Sequence, residues 1–147
     1  MICNETLFEV ITGIEAYASN DESDSWTMSL NRKNVSEDSL GLSGLHKMDV
    51  PLKAKSCSFS EKENIDIAGE SYEVTLNWQI QSADNSTYGV LDNLKEMRNH
   101  LILRTYGECS YFIRSEEEGY RFSYMEKEGL IECELIIHNR SGVQRII

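Results

Sequence analysis

The stretch SYEVTLNWQIQS, residues 71–82, alternates without error for ten residues. Tyr72, Val74, Leu76, Trp78 and Ile80 take one side, and Glu73, Thr75, Asn77, Gln79 and Gln81 take the other. Side chains on a β-strand turn to opposite faces at every step, whereas a helix returns to one face every three or four residues. This stretch is therefore a strand with one apolar and one polar face, and the rest of the chain must supply a core for the first. The polar set is rich in amides and hydroxyls, with Glu73 its only charge. Strand faces bare to solvent more often carry lysine and glutamate. The composition points to a sheet surface with strand neighbours or to a wet channel.

Around this strand the chain reads as mainly β. LFEVITGIEAYA (7–18) is expected as a strand over its first half, and SWTMSL (25–30) puts Trp26, Met28 and Leu30 on one face. Pro51 opens an expected strand, PLKAKSCSF (51–59), at a position where no ladder donor is lost. SEKENIDIAGE (60–70) then connects to the long strand. Asn85, Ser86 and Thr87 offer N-cap oxygens to a helix over YGVLDNLKEMRNH (88–100), whose Arg98 and His100 suit the negative pole of the helix dipole. LILRTY, CSYFIR, YRFSYM, LIECELIIH and VQRII follow as a meander broken by glycine-bearing turns. The expected fold is a single domain over residues 1–147, an antiparallel β-sandwich or open barrel of about eight strands with one packed α-helix.

One segment departs from this rhythm. RKNVSEDSLGLSGLHKMD (32–49) combines two glycines with several serines and scattered leucines. Loops of this length are uncommon inside a compact domain and tend to be functional or disordered. The 32–50 region is expected either as a mobile surface loop or as an arm that docks Leu40, Leu42 and Leu45 on a neighbouring subunit.

Chemistry-bearing motifs are sparse. The formal charge of -11 lacks the basic footprint with which proteins hold nucleic acid, although an acidic wall lets phosphate slide past. Residues 1–10 show no basic leader with an apolar run, and no stretch is long enough to span a membrane. Cys3, Cys57, Cys109 and Cys133 form no C-x-x-C pair, and reduced core thiols are expected. His46, His100 and His138 lack metal-site spacing and read as solvent or capping residues, so no metal and no cofactor is expected. GLSGL (41–45) is not a nucleophile elbow, and DESDS (21–25) lacks the glycine and distal glutamate of a calcium loop. The run Glu116, Glu117 and Glu118 reads as a solvated hairpin tip. Tyr120, Phe122 and Tyr124 share a strand face; they are expected in the core, with carbohydrate stacking as the alternative. No enzyme is expected.

The long strand SYEVTLNWQI, the short helix YGVLDNLKEMRNH, the hairpins after it and the closing IIHNRSGVQRII together resemble the tail-tube and related tail or neck proteins of bacteriophages. The resemblance implies a two-sheet sandwich flanked by a helix. Copies would form a homo-oligomeric ring, commonly a hexamer, associated with other tail or neck proteins. The subunit would be built into a virion assembled in the host cytoplasm, with DNA passing through the ring without specific binding and no membrane involved. Under this resemblance Glu73, Thr75, Asn77, Gln79 and Gln81 would face the lumen or a neighbouring subunit, and the loop from Arg32 to Asp49 would fall where such proteins carry an inter-subunit loop. The alternative function is a monomeric β-sandwich binding module for carbohydrate or protein.

Overall fold

A computed structural model of the chain describes residues 10–19, 34–67, 69–81, 84–107, 109–116 and 118–147. In chain order the described elements begin with β1 (Ile11–Ala18), β2 (Asn34–Val35), a short 3-10 helix (Glu37–Leu40), β3 (Lys47–Val50), β4 (Ser58–Asp66) and β5 (Gly69–Gln81). They continue with α1 (Asn85–Glu96), β6 (Asn99–Thr105), β7 (Ser110–Ile113), β8 (Tyr120–Lys127), β9 (Leu130–Asn139) and β10 (Val143–Ile146). The strands form a large sheet ordered β2-β10-β7-β6-β1-β3 and a small sheet ordered β4-β5-β9-β8. Every pairing is antiparallel except β2 with β10. Neither sheet closes on itself, so the fold is a β-sandwich with one packed helix.

The alternating strand is β5, an interior strand of the small sheet. Val74, Leu76, Trp78 and Ile80 are buried, level with Ile137, Leu135, Cys133 and Ile131 on β9. Phe122 on β8 completes this face, its ring stacked on Trp78 at 5.8 Å between centroids. Opposite them the large sheet turns in Ile14 and Ala16 from β1, Leu101 and Leu103 from β6, and Ile113 from β7. Burying each large apolar side chain stabilises the fold by about 1.5–3 kcal/mol, so the inter-sheet core is the main favourable contribution. Tyr120 and Tyr124 pack half-buried on the same core, as expected of the aromatic face of β8.

The helix plugs one side of the sandwich, where it meets β3 and β8. Asp84 is its N-cap and Thr87 completes a capping box: the Asp84 carboxylate accepts from the Thr87 N–H at 3.0 Å, and the Thr87 hydroxyl accepts from the Asp84 N–H at 3.3 Å. Hydrogen bonds from the Ser86 hydroxyl, the Thr87 N–H and the Thr87 hydroxyl hold the Asp84 carboxyl below its ordinary value. The cap is thus one residue ahead of the expected Asn85 to Thr87 set. The helix also ends at Glu96, short of the expected His100, because Asn99 onward pairs with β1 and β7 instead. Tyr120 donates its hydroxyl to the Leu94 carbonyl at 2.8 Å, satisfying one acceptor in the last turn.

Two expectations in the first half of the chain are corrected. The strand after Pro51 begins at Ser58 and runs through SEKENID, which had read as a connection. Before it, the chain is tied to the end of β5 by the Lys53 N–H donating to the Gln79 carbonyl at 2.7 Å, and by the Ser56 hydroxyl accepting from the Gln79 N–H at 3.1 Å. A serine side chain there replaces a ladder partner, which ordinary alternation does not reveal. SWTMSL (25–30) lies outside the described residues.

The second correction concerns the 32–50 region, whose described residues from 34 onward lie against their own subunit. Val35 and Leu40 pack on Ile102 and Phe112, forming a second small core on the far face of the large sheet. The physical reason lies in β6, where Leu101, Ile102 and Leu103 follow one another. A run of consecutive apolar residues needs cover on both faces of its sheet. The leucines of the segment supply that cover, and Gly41, at φ +70°, ends the helical turn in the left-handed conformation that glycine adopts without strain. Leu40 is 1% exposed. Leu40→Ala should therefore lower unfolding stability by about 2–5 kcal/mol in urea titration. A dispensable arm residue would leave stability unchanged.

Candidate functional site

The polar face of β5 is the outer face of the small sheet. Its cross-strand register places Glu73 between Lys62 on β4 and His138 on β9, Thr75 between Ser60 and Ile136, and Asn77 between Ser58 and Glu134. Gln79 lies beside Glu132, and Gln81 beside Leu130. On β8 the face continues with Arg121, Ser123, Met125 and Lys127, all exposed. The five predicted residues thus share one surface. Thr75 and Gln79 are half-buried by strand neighbours, whereas Asn77 and Gln81 are exposed. The His138 Nε2 lies 4.0 Å from a Glu73 carboxylate oxygen, a contact that becomes an ion pair only when the imidazole is protonated.

The predicted leucines do not join this surface. Leu40 is buried on the large sheet, Leu42 packs half-buried beside it, and Leu45 is half-buried in the following turn. The segment that projects is a different one. Pairing of β5 with β9 stops at Tyr72 and Asn139, while pairing of β5 with β4 continues to Gly69 and Asp66. Among the described residues, the end of the β4–β5 hairpin is therefore a two-stranded overhang. Ile65 is 75% exposed there and Ile67 fully exposed. The sequence masks this ribbon because Glu61, Lys62 and Glu63 interrupt the apolar alternation. The available signal was the pair of isoleucines immediately before Gly69, in the manner of a hairpin tip.

A charged cluster ties the covering segment to the large sheet. Arg104 on β6 reaches both oxygens of Glu15 on β1, at 2.9 and 3.2 Å, and also meets Glu37 at 2.8 Å and the Ser110 hydroxyl at 3.0 Å. Tyr17 donates its hydroxyl to Glu15 at 3.0 Å. Burial pushes the Glu15 carboxyl up, but hydrogen bonds from Arg104 and Tyr17 and the charges of Arg104 and Lys47 outweigh it, leaving the carboxyl below its ordinary value. Burial and the hydrogen bond to Glu15 push the Tyr17 hydroxyl up to about 12. The hydrogen bond to Glu15 leads the rise in the Arg104 value, which burial only partly opposes. The cluster satisfies itself and functions as a clasp.

His100 is not a capping residue: it lies buried on β6, its ring beside Phe112. The Ser115 N–H donates to its Nδ1 at 3.0 Å, with the Ser115 hydroxyl oxygen 3.3 Å away. That nitrogen already accepts from a backbone amide, and Ser115 is itself fully buried. The pair is structural, without the exposed nucleophile that acyl transfer requires. Among the described residues no group of three or more histidine, cysteine, aspartate or glutamate side chains could hold a metal ion. Cys57 and Cys133 are free and buried, with burial pushing both thiols up to about 12. Cys109 is disulfide-bonded, which corrects the expectation of a reduced thiol there.

No protein-family model matches the chain, and no curated protein or solved structure is significantly similar to it. No helix among the described residues is long and apolar enough to cross a membrane.

The clasp has a testable pH signature. A depressed folded-state carboxyl contributes stability that is fully present above the unfolded glutamate value and is lost as pH falls through the folded value. Glu15→Gln should cost about 1 kcal/mol near neutral pH, after allowance for the solvent that reaches Arg104. Chemical denaturation across pH should show the gap from the parent chain closing as the solution is acidified through the carboxyl range. A gap independent of pH would mean that the amide fails for a steric reason.

Proposed function

We propose that the chain is a structural subunit of a bacteriophage tail, neck or related tube, which assembles into rings around a DNA channel. The observation that supports this reading best is the small sheet. Among the described residues it has four strands, all antiparallel, with β4 and β8 at its edges. Edge strands of nine and eight residues present rows of backbone groups that template pairing with another chain. With an even number of alternating strands, β4 of one copy meets β8 of the next in the antiparallel sense at every boundary. A head-to-tail arrangement of this kind closes into a ring when its rotation divides the circle. Glu61, Lys62 and Glu63 along β4 restrict which partner strand is accepted.

The same arrangement gives the polar face of β5 a role. Glu73, Thr75, Asn77, Gln79 and Gln81 would form a hydrated polar lining on which Glu132 and Glu134 stand beside Lys62, Arg121 and Lys127, so the face carries no basic excess to hold phosphate. Such a subunit acts by geometry, needs no cofactor, and belongs in a virion assembled in the host cytoplasm. A carbohydrate-binding module finds less support, because Phe122 is buried and Tyr120 and Tyr124 are packed on the core.

Light scattering and negative-stain microscopy should show discrete rings. Hydrogen–deuterium exchange should then find edge amides of β4 and β8 slowed by about ten-fold or more in the ring, while the interior β6 changes little. A chain that stays monomeric at every attainable concentration would sink the reading. Rings whose β4 and β8 amides exchange as in the monomer would leave assembly standing but remove edge pairing from it.

A further inference from the structure

We propose that His100 and Ser115 form a proton-driven switch that releases the connection between the two sheets when the surroundings turn mildly acidic. The switch rests on the fold alone and stands apart from the ring reading.

Its basis is a double contact at one nitrogen. Nδ1 of His100 meets both a donor and an acceptor of the same residue, the Ser115 N–H at 3.0 Å and the Ser115 hydroxyl oxygen at 3.3 Å. A ring nitrogen that accepts from an amide carries no proton, so the imidazole is neutral, with its one N–H on Nε2. A proton arriving at Nδ1 exchanges the two roles. The amide loses its acceptor, and the hydroxyl oxygen becomes the acceptor of a charge-assisted hydrogen bond. His100 is 3% exposed and Ser115 is fully buried, so the displaced amide is costly to leave unanswered in the closed structure. Each protonation state thus selects a different partner on Ser115, which makes the pair bistable.

The described charges around the pair favour opening once the proton is bound. Arg104 shares the His100 side of β6, and Arg98 directly precedes the strand. On the neighbouring strands, Tyr17 of β1 lies opposite His100 with Glu15 beyond it, and β3 adds Lys47 and Asp49 on the same side. Glu15 is engaged by Arg104, Tyr17 and Lys47; Glu37 meets Arg104, and Asp49 meets Lys47. Arg114 and Glu116 flank Ser115 in the chain. Arg98 donates from Nη1 to the Ser115 carbonyl at 2.7 Å, so a charged imidazole would share Ser115 with a guanidinium. Like charges on one buried residue drive it away from its seat.

What moves is bounded by the topology. Ser115 lies just past β7, where the chain leaves the large sheet for β8 in the small one. The Asn139 side chain holds the preceding Arg114 carbonyl at 2.6 Å, and the Gly119 carbonyl accepts from the His138 N–H at 2.8 Å. Neither of those donors titrates, so residues 115–118 open between fixed ends. The open stretch admits the proton that the closed one excludes. Closure is therefore complete above the ordinary histidine range of about 6.5 and is lost as pH falls below it.

Residue-resolved amide exchange of the intact chain between about pH 7.5 and 5, referred to intrinsic rates, tests the switch. Protection of the Ser115 amide should fall by up to about ten-fold per pH unit below about 6.5, while β6 and β9 amides keep theirs. His100→Gln retains an acceptor that does not titrate and should make the protection independent of pH. Ser115→Ala keeps the amide but removes the hydroxyl, so the imidazole, followed by its chemical shifts, should need about ten-fold more acid to take its proton. Ser115 protection that does not change with pH in the parent chain overturns the proposal, whether or not either variant folds. Protection lost from β6 and β9 together with Ser115 also overturns it, because acid would then unfold the sandwich instead of opening the connection. A pH dependence that persists in the glutamine chain, or an imidazole midpoint unmoved by Ser115→Ala, overturns it too. None of these outcomes depends on whether rings form.

Discussion

The strict two-residue period of β5 is the constraint on which the structure depends. One slip in that register would send Trp78 and Ile80 to solvent and bring Asn77 and Gln79 inward. The strand pairs on both sides, with β4 and β9, while its apolar face meets the large sheet. The positions of Phe122, Cys133 and Leu135 follow from that register, since each lies level with a β5 residue directly or through β9. The sandwich is therefore specified by one strand whose two faces cannot be exchanged.

That constraint explains which parts of the fold were legible in the sequence. β5, β8 and β9 could be read because each is half-buried and alternates cleanly between apolar and polar residues. β6 could be read as a strand, but its consecutive Leu101, Ile102 and Leu103 also implied a second apolar cover whose source the sequence did not identify. Leu40 provides it, from a segment whose serines and glycines resemble linker composition. β4 was misplaced because an edge strand with a projecting end has little apolar pattern to show. The strand that bears Glu61, Lys62 and Glu63 is recognised by its partner, β5, and only the fold brings the two together.

The candidate surface divides along the same line. Glu73, Thr75, Asn77, Gln79 and Gln81 were grouped correctly on one face because a shared face follows from parity alone. The Glu15–Arg104–Glu37 cluster was invisible because its members come from three segments far apart in sequence, each carrying a charge that could equally have been solvated. His100 illustrates the reverse case. Helical spacing placed it at a helix end, yet pairing with β1 took Asn99 onward and carried the imidazole into the interior, where the Ser115 amide answers it.

The pairing of β2 with β10 has a consequence for synthesis. Asn34 and Val35 lie beside Arg145 and Ile146, and the Ile147 N–H donates to the Val35 carbonyl at 2.8 Å. An early segment thus completes its hydrogen bonding only on a strand made near the end of the described chain. Contacts of such long sequence separation form late, because the intervening loop must first be closed. While the chain emerges, the cover of Val35 and Leu40 over Ile102 and Phe112 has the Glu37–Arg104 contact but not yet the β2–β10 pairing. The far side of the large sheet is therefore sealed late, and arrival of the last strand is the event that completes its cover.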